Sequence, residues 1–311
     1  MSQLLTMLGP IAVAPEKGEG DLSPHELSMM AVSALLEEAE LTPKPALVDR
    51  RGSGAHHDLD LPKLRRSALS LRDGFADMAR AAAVEKAPLR LRERIGRIGR
   101  DMEQRMLAAT DGTNAHRGAI WALGLLVAAV ALGRSERTAA RIAAAAAALA
   151  RLPDQFAPRT LSNGEKARLK YGTAGARGEA QAAFPHAIGV GLPTLRATRA
   201  RGVPEDRARL DALMAIMARL DDTCLLHRGG VIALETAKVG ARAVLAAGGT
   251  ATPTGIHHLH RLHAELLALW ASPGGSADLL AVTLFLDRLE GGSRSACSQE
   301  EFCHGNHELR V

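Results

Sequence analysis

The chain has little from which to build a sheet. Aromatic residues make up 3% of its 311 positions, and there are only 13 Val and 9 Ile, the residue types that strands favour. A sheet-rich fold is therefore excluded. Cysteine is equally scarce: Cys224, Cys297 and Cys303 cannot frame a disulfide scaffold in a chain this long, which fits a reducing cytoplasm. Long apolar runs are also missing. The longest, residues 118–133 between Arg117 and Arg134, has 16 residues where a membrane-spanning helix needs about 20, so it reads as a buried core helix. Residues 1–20 have neither a basic leader nor a long apolar stretch, and no export signal is expected. Strong charge of one sign is absent too, since 39 basic residues face 34 acidic ones for a net charge of +5. This is no basic stripe, and nucleic acid is not an expected partner.

Alanine and leucine are plentiful instead, and both suit helices because they lose little side-chain freedom there. Ser23 with Glu26 and Ser162 with Glu165 form capping boxes, the first with Pro24 at the opening helical position. Apolar residues recur at helical spacing over about 24–41, from 61 onward, and at 89–109, 117–132, 135–151, 175–183, 205–222, 231–247, 256–271 and 276–289. The expectation is one all-α, single compact multi-helix domain over 22–290, with flexible segments at 1–21 and 291–311. Cys297, Cys303, His304 and His307 match no standard zinc spacing and read as part of the tail. Of the 39 basic residues 32 are Arg; the planar fork suits phosphate, although Arg-rich codon usage would give the same count.

The polar, glycine-bearing residues gather at five junctions between helices, where binding groups usually sit on a rigid scaffold. The first, residues 44–60, carries Asp49, Arg50, Arg51, His56, His57, Asp58 and Asp60; Asp60 reads as the cap of the next helix. The second joins Glu103 to residues 110–118 with His116 and Arg117, at the amino end of the apolar helix, where an anion is favoured. The third is Tyr171 to Ala180, with Arg177 and Glu179 between glycines. The fourth is Asp221 to Gly230, where Asp221 and Asp222 are expected to close a helix. Carboxylates there face the unfavourable end of the dipole, so a bound cation would compensate. His227 and Arg228 follow. The fifth, Ser272 to Asp278, is a turn with Gly274 and Gly275 that Ser276 would cap. No phosphate loop, dinucleotide fingerprint or zinc-protease motif is present. Spacing alone supports a helical phosphate or nucleotide enzyme.

These blocks, Leu41 to Asp58, Met106 to Gly118, Tyr171 to Ala180, Asp221 to Gly230 and Ser272 to Asp278, resemble the triphosphoribosyl-dephospho-CoA synthases in order and wording. The chain departs at Ala46, where the family has a glycine, and at Cys224, where asparagine often stands. The resemblance implies a nucleotide-binding transferase that works in prosthetic-group biosynthesis. It would cleave ATP at its N-glycosidic bond, release adenine, and join the ribose C1 to the 2′-hydroxyl of 3′-dephospho-CoA. The product, a coenzyme A derivative, would serve an acyl carrier protein of malonate decarboxylase or citrate lyase, the wording leaning to malonate. That carrier or its prosthetic-group transferase is the expected downstream partner. Such chemistry needs an alcohol deprotonated beside an oxocarbenium-like carbon rather than a phosphate loop. On this resemblance Mg2+ accompanies the triphosphate, Asp49, Asp58, Asp221 and Asp222 serve as base or metal ligands, and Glu103 is a further ligand. Arg50, Arg117, Arg177 and Arg228 would take phosphates, with His56, His116, Tyr171, Glu179, His227, Gly274 and Gly275 as further substrate contacts. Two other readings stand beside it: a helical metal-dependent N-glycoside hydrolase, and a module that binds the carrier without turnover.

Overall fold

The computed structural model describes residues 22–133, 138–158 and 161–291. Its elements are α1 (Pro24–Glu40), α2 (Leu61–Ser70), α3 (Arg72–Val84), α4 (Pro88–Ala109), α5 (Arg117–Ala131), α6 (Ala139–Arg151), α7 (Asn163–Tyr171), α8 (Gly175–Gln181), a π-helical turn at Ala187–Gly191, α9 (Leu192–Ala200), α10 (Glu205–Met217), α11 (Thr223–Ala246), α12 (Pro253–Ala268) and α13 (Gly274–Leu289). Among the described residues the strand-like pairing is confined to one bridge, Asp49 to Gly52. The fold is all-α, as the shortage of strand formers requires.

Helix α5 is apolar on almost every side and buried from Ala119 to Val130, Trp121 excepted. A helix of that kind has to sit inside other helices. It is enclosed by α1, α3, α4, α6 and α13. Helix α13 is the second central element, with Leu279 to Asp287 all buried. Asp278 meets Gly118 where α13 and α5 begin, and Glu290, just past α13, accepts the Ala139 N–H where α6 begins beyond α5. The two central helices therefore run in the same direction, and their amino ends share one end of the molecule. Apolar side chains from every helix join one core, with Phe75, Phe184 and Phe285 fully buried in it.

Both capping boxes form: Ser23 Oγ accepts the Glu26 N–H at 3.2 Å, and Ser162 Oγ accepts that of Glu165 at 3.2 Å. Asp60 caps α2 by accepting the Lys63 N–H at 2.8 Å. Elsewhere the boundaries move. No helix was expected over 187–200, yet the π-turn and α9 lie there, with Pro193 in the first turn of α9, where its missing N–H is not needed. Helix α10 stops at Met217 rather than near 222, and α11 begins at Thr223 rather than at 231. Within α11 Gly230 has φ 64° and ψ −157°, a conformation open essentially to glycine. The run is two helices meeting at a kink. The expected tail segments and their Cys297, Cys303, His304 and His307 lie outside the described residues.

Candidate active site

The loop between α1 and α2 is shaped by buried charge. Lys44, 1% exposed, places its ammonium on the Glu38 carboxylate and on the Glu38 carbonyl, each at 2.6 Å. Asp49 accepts the Lys44 N–H and the Arg51 N–H at 2.8 Å, and its carboxylate also takes the Arg51 guanidinium. Both of its oxygens are thus occupied, and Asp49 holds the loop closed. Ala46 has φ 54°, a left-handed backbone that glycine adopts more readily than alanine. Its N–H donates to His263 Nδ1 on α12 at 3.1 Å. Arg50 is exposed and pairs with Glu40 at 2.8 Å.

All five junctions meet. Arg228 donates to the Ala55 carbonyl at 2.8 Å and to His56 Nδ1 at 3.0 Å, which ties the fourth junction to the first. Thr113 Oγ1 donates to the Asp58 carbonyl at 3.2 Å, joining the second to the first. Trp121 Nε1 on α5 donates to the Ala176 carbonyl at 3.2 Å, and Gly175 lies against the Thr223 side chain, so the third reaches α5 and the fourth. The fifth joins the fourth through Asp222 and the second through Asp278.

Those last two carboxylates stand at the amino ends of three helices. Asp222, 1% exposed, accepts the Cys224 N–H at 2.8 Å, the Gly275 N–H at 3.2 Å, the Ser276 N–H at 2.8 Å and the Ser276 hydroxyl at 2.9 Å. It caps its own helix α11 and, across the site, α13. This corrects three expectations. Asp222 does not close a helix at the unfavourable end of a dipole but opens one at the favourable end, so no cation is needed there. Ser276 is not the cap of α13; it donates to the capping carboxylate. Gly275 gives its amide to Asp222, and Gly274 gives its own to the Ser272 carbonyl, so neither amide is offered to phosphate. Burial still pushes the Asp222 carboxyl upward despite its four donors.

Asp278 is placed differently. It lies on Gly118, where any side chain would collide with it, at the start of α5. It is partly open to solvent. Burial, then the nearby Glu38 and Asp222 charges, push its carboxyl well above the usual carboxylate range. Glu38, Asp222 and Asp278 thus crowd together with one buried cation, Lys44.

Around this centre, Arg117 pairs with Glu103 at 3.0 Å. Arg177 is exposed, and its charge is close enough to help lower the Arg92 guanidinium, for which burial is the main cause. Arg92 lies over the Trp121 ring at 5.0 Å. His116 is 3% exposed; its Nδ1 meets Ser67 Oγ at 2.6 Å, and its Nε2 has no hydrogen-bond partner among the described residues. Burial and then neighbouring cations drop His116 and His56 to about 4, with Lys44 acting on the first and Arg228 on the second. Glu179 is buried and bound to His186, 2.8 Å from its Nδ1 and 2.9 Å from its N–H, so it acts on the fold rather than facing ligand. Tyr171 lies against Gly230 with the Lys170 ammonium 5.0 Å over its ring. His227 is exposed, as is Asp221, which pairs with Lys238. Asp58 is exposed, 3.8 Å from His56.

The expected metal set does not gather. Among the described residues no three of His, Cys, Asp and Glu form a metal-ligating group; Asp49 and Asp222 are consumed by backbone donors, and Glu103 and Asp221 by Arg117 and Lys238. The sequence reading did not single out Glu38, Lys44 or Ser67. Glu38 sits on a helix face like any solvated acid, and only the return of the loop buries it. Asp278 was visible inside the fifth junction but passed as part of a turn.

A helical scaffold that converges acids, Arg and helix amino ends, without a phosphate loop, is the kind of site an enzyme acting on phosphorylated substrates uses. The chain belongs to the ATP:dephospho-CoA triphosphoribosyl transferase family, whose model matches residues 24–296. It is 57% identical over 269 residues, 86% of this chain and 92% of the relative, to the probable 2-(5''-triphosphoribosyl)-3'-dephosphocoenzyme-A synthase of Pseudomonas fluorescens Pf-5. Over 265 residues, 85% of this chain and 95% of the relative, it is 54% identical to the 2-(5''-triphosphoribosyl)-3'-dephosphocoenzyme-A synthase of Klebsiella pneumoniae. No solved structure matches. No described helix is long and apolar enough to cross a membrane.

Proposed function

We propose that this site moves the 5-triphosphoribosyl group of ATP onto the 2′-hydroxyl of 3′-dephospho-CoA, with Asp278 as the proton acceptor. The observation that carries the reading is the meeting of five junctions, spread over more than 230 positions, around Asp222 and Asp278. In the transfer the C1–N bond to adenine breaks, its electron pair leaves with adenine, and the acceptor oxygen bonds to C1. The proton that the hydroxyl loses balances the one adenine gains. Asp222, with four donors on it, is fitted to fix the helix ends rather than to take a proton. Asp278, which lies against the opening turn of α5, has partial access to solvent and a raised affinity for protons, which are the properties of a general base. Neighbouring carboxylates also favour positive charge developing at C1.

Arg117, Arg177 and Arg228 are the proposed phosphate contacts, and Arg50 an outer one. Because no three described side chains form a metal cage, Mg2+ would arrive on the triphosphate with waters of its own and need one or two carboxylates from the protein; exposed Asp58 is the candidate. An acyl carrier protein, of malonate decarboxylase in preference to citrate lyase, is the proposed destination of the product.

The test incubates purified protein with ATP, Mg2+ and 3′-dephospho-CoA, omitting each in turn, and follows adenine release and the mass of the CoA species. Adenine should appear only with the acceptor, matched by one heavier CoA product. Adenine without acceptor identifies a hydrolase instead, and carrier binding without adenine a binding module. Arg177→Lys, which loses the bidentate fork, should raise the KM for ATP; unchanged kinetics would remove Arg177 from the phosphate site.

A further inference from the structure

We propose that Trp270 and His57 form a stacking platform for the adenine ring of a nucleotide substrate at the rim of this site. The proposal rests on reading the site as one that processes nucleotides. Helix α12 ends with the Ala271 N–H donating to the Leu266 carbonyl at 3.0 Å and the Trp270 N–H to that of Leu267 at 2.9 Å. This pair of bonds is the Schellman ending, in which the residue after the cap takes a left-handed backbone and is most often glycine. Trp270 occupies that position with φ 51°. A side chain there is strained, so local structure gives no reason for an indole.

The core gives none either. Trp270 is 41% exposed, as Phe156 is at 62%, whereas Phe75, Phe184 and Phe285 are fully buried. Its ring lies on the His57 imidazole, with centroids 4.0 Å apart and planes 23° from parallel. Both partners are anchored. Arg228 holds the His57 loop through Ala55 and His56, and Ala271, next to Trp270, packs against Gly229. Two residues after Trp270 begins the Ser272 turn, whose Gly275 and Ser276 bind Asp222. A planar π surface, one residue along the loop from the His56 that Arg228 holds and two residues before the turn that binds Asp222, suits a flat heteroaromatic base that carries a phosphorylated ribose. ATP and 3′-dephospho-CoA both carry adenine, so either can supply the ring.

Calorimetric titration of the full chain with ATP, with 3′-dephospho-CoA and with inorganic tripolyphosphate, which has charge but no base, tests the proposal on wild type and Trp270→Gly. Glycine suits the left-handed backbone, so the variant should melt at or near the wild-type temperature. The Kd of one nucleotide should rise by roughly 5- to 150-fold, the range of base stacking on an aromatic side chain, while tripolyphosphate binding stays unchanged. Trp270→Phe should recover most of the loss. Weakening of ATP alone assigns the platform to the donor adenine, and weakening of 3′-dephospho-CoA alone to the acceptor. Unchanged Kd for both nucleotides overturns the proposal, as does equal weakening of tripolyphosphate. If the glycine variant does not fold, Trp270→Leu, which keeps bulk without the ring, carries the same test. Adenine release by the wild type is followed in parallel. Its absence would sink the transfer reaction while leaving the stacking result to stand or fall on the titrations.

Discussion

The two ends of α13 are built from the same residue types and treat them in opposite ways. At the carboxyl end Asp287 is buried between Arg196 and Arg199, Glu290 takes Arg196, Glu205 takes Arg199 and Arg209, and Glu37 takes Arg209 and Arg288. Every acid there meets at least one guanidinium. At the amino end Asp222 is satisfied by three amides and a hydroxyl, Asp278 lies against the first residues of α5, and Glu38 meets the single cation Lys44. Glu37 and Glu38 are neighbours on α1, yet one belongs to each region. The first arrangement fastens α1, α9, α10 and α13 together. The second crowds three carboxylates at the mouth of three helices with one cation among them and raises two of them by burial, which costs stability and is expected where such groups have chemical work to do.

The sharpest way to break this contrast is Asp278→Asn. Activity, read as adenine release, should fall by about 10² to 10⁴ if the carboxylate is the base. Stability should hold or rise at neutral pH: a carboxyl whose folded pKa is raised contributes its stability below its unfolded value near 3.8 and loses it as pH increases. An active Asn variant would remove Asp278 from the mechanism. Asp222→Ala strips caps from two helices and should cost about 1 to 4 kcal/mol in denaturant titration, with activity lost alongside. A small loss would mean that the double cap is not what holds the turn.

Acidification comes next. His56 and His116 drop from 6.5 to about 4 in the folded chain, so between these values the unfolded chain takes up protons that the folded one refuses. Stability is therefore complete above pH 6.5 and declines toward pH 4, by about 3 kcal/mol per histidine at the limit. His116→Gln should flatten that slope; an unaltered slope would place the titration elsewhere. At the opposite end of α13, Asp287→Ala should cost about 2 kcal/mol with kcat/KM of the folded enzyme unchanged. A kinetic defect there would show that the two ends are coupled. Arg50→Ala, which breaks an exposed pair, should cost less than about 1 kcal/mol, measured by thermal melting.

Much of this protein was legible in one dimension. Helix formers without strand formers determined the fold class, Ser23, Asp60 and Ser162 determined where three helices start, and the apolar run after Arg117 determined which helix is central. The polar junctions marked where the site would be. What a side chain does within the site was not legible, because that depends on which partners arrive from far along the chain. Asp222 looks like a helix-ending acid until Gly275 and Ser276, more than 50 positions away, bring their amides to it. Lys44 and Glu38 look solvated until the loop folds back over them. Trp270 shows nothing special in the sequence; only its left-handed backbone and its stacking on His57 set it apart. Local propensity and period act within a few residues and are written in the sequence; burial, desolvation and the sharing of donors are properties of the packed molecule, and only the tertiary structure decided them.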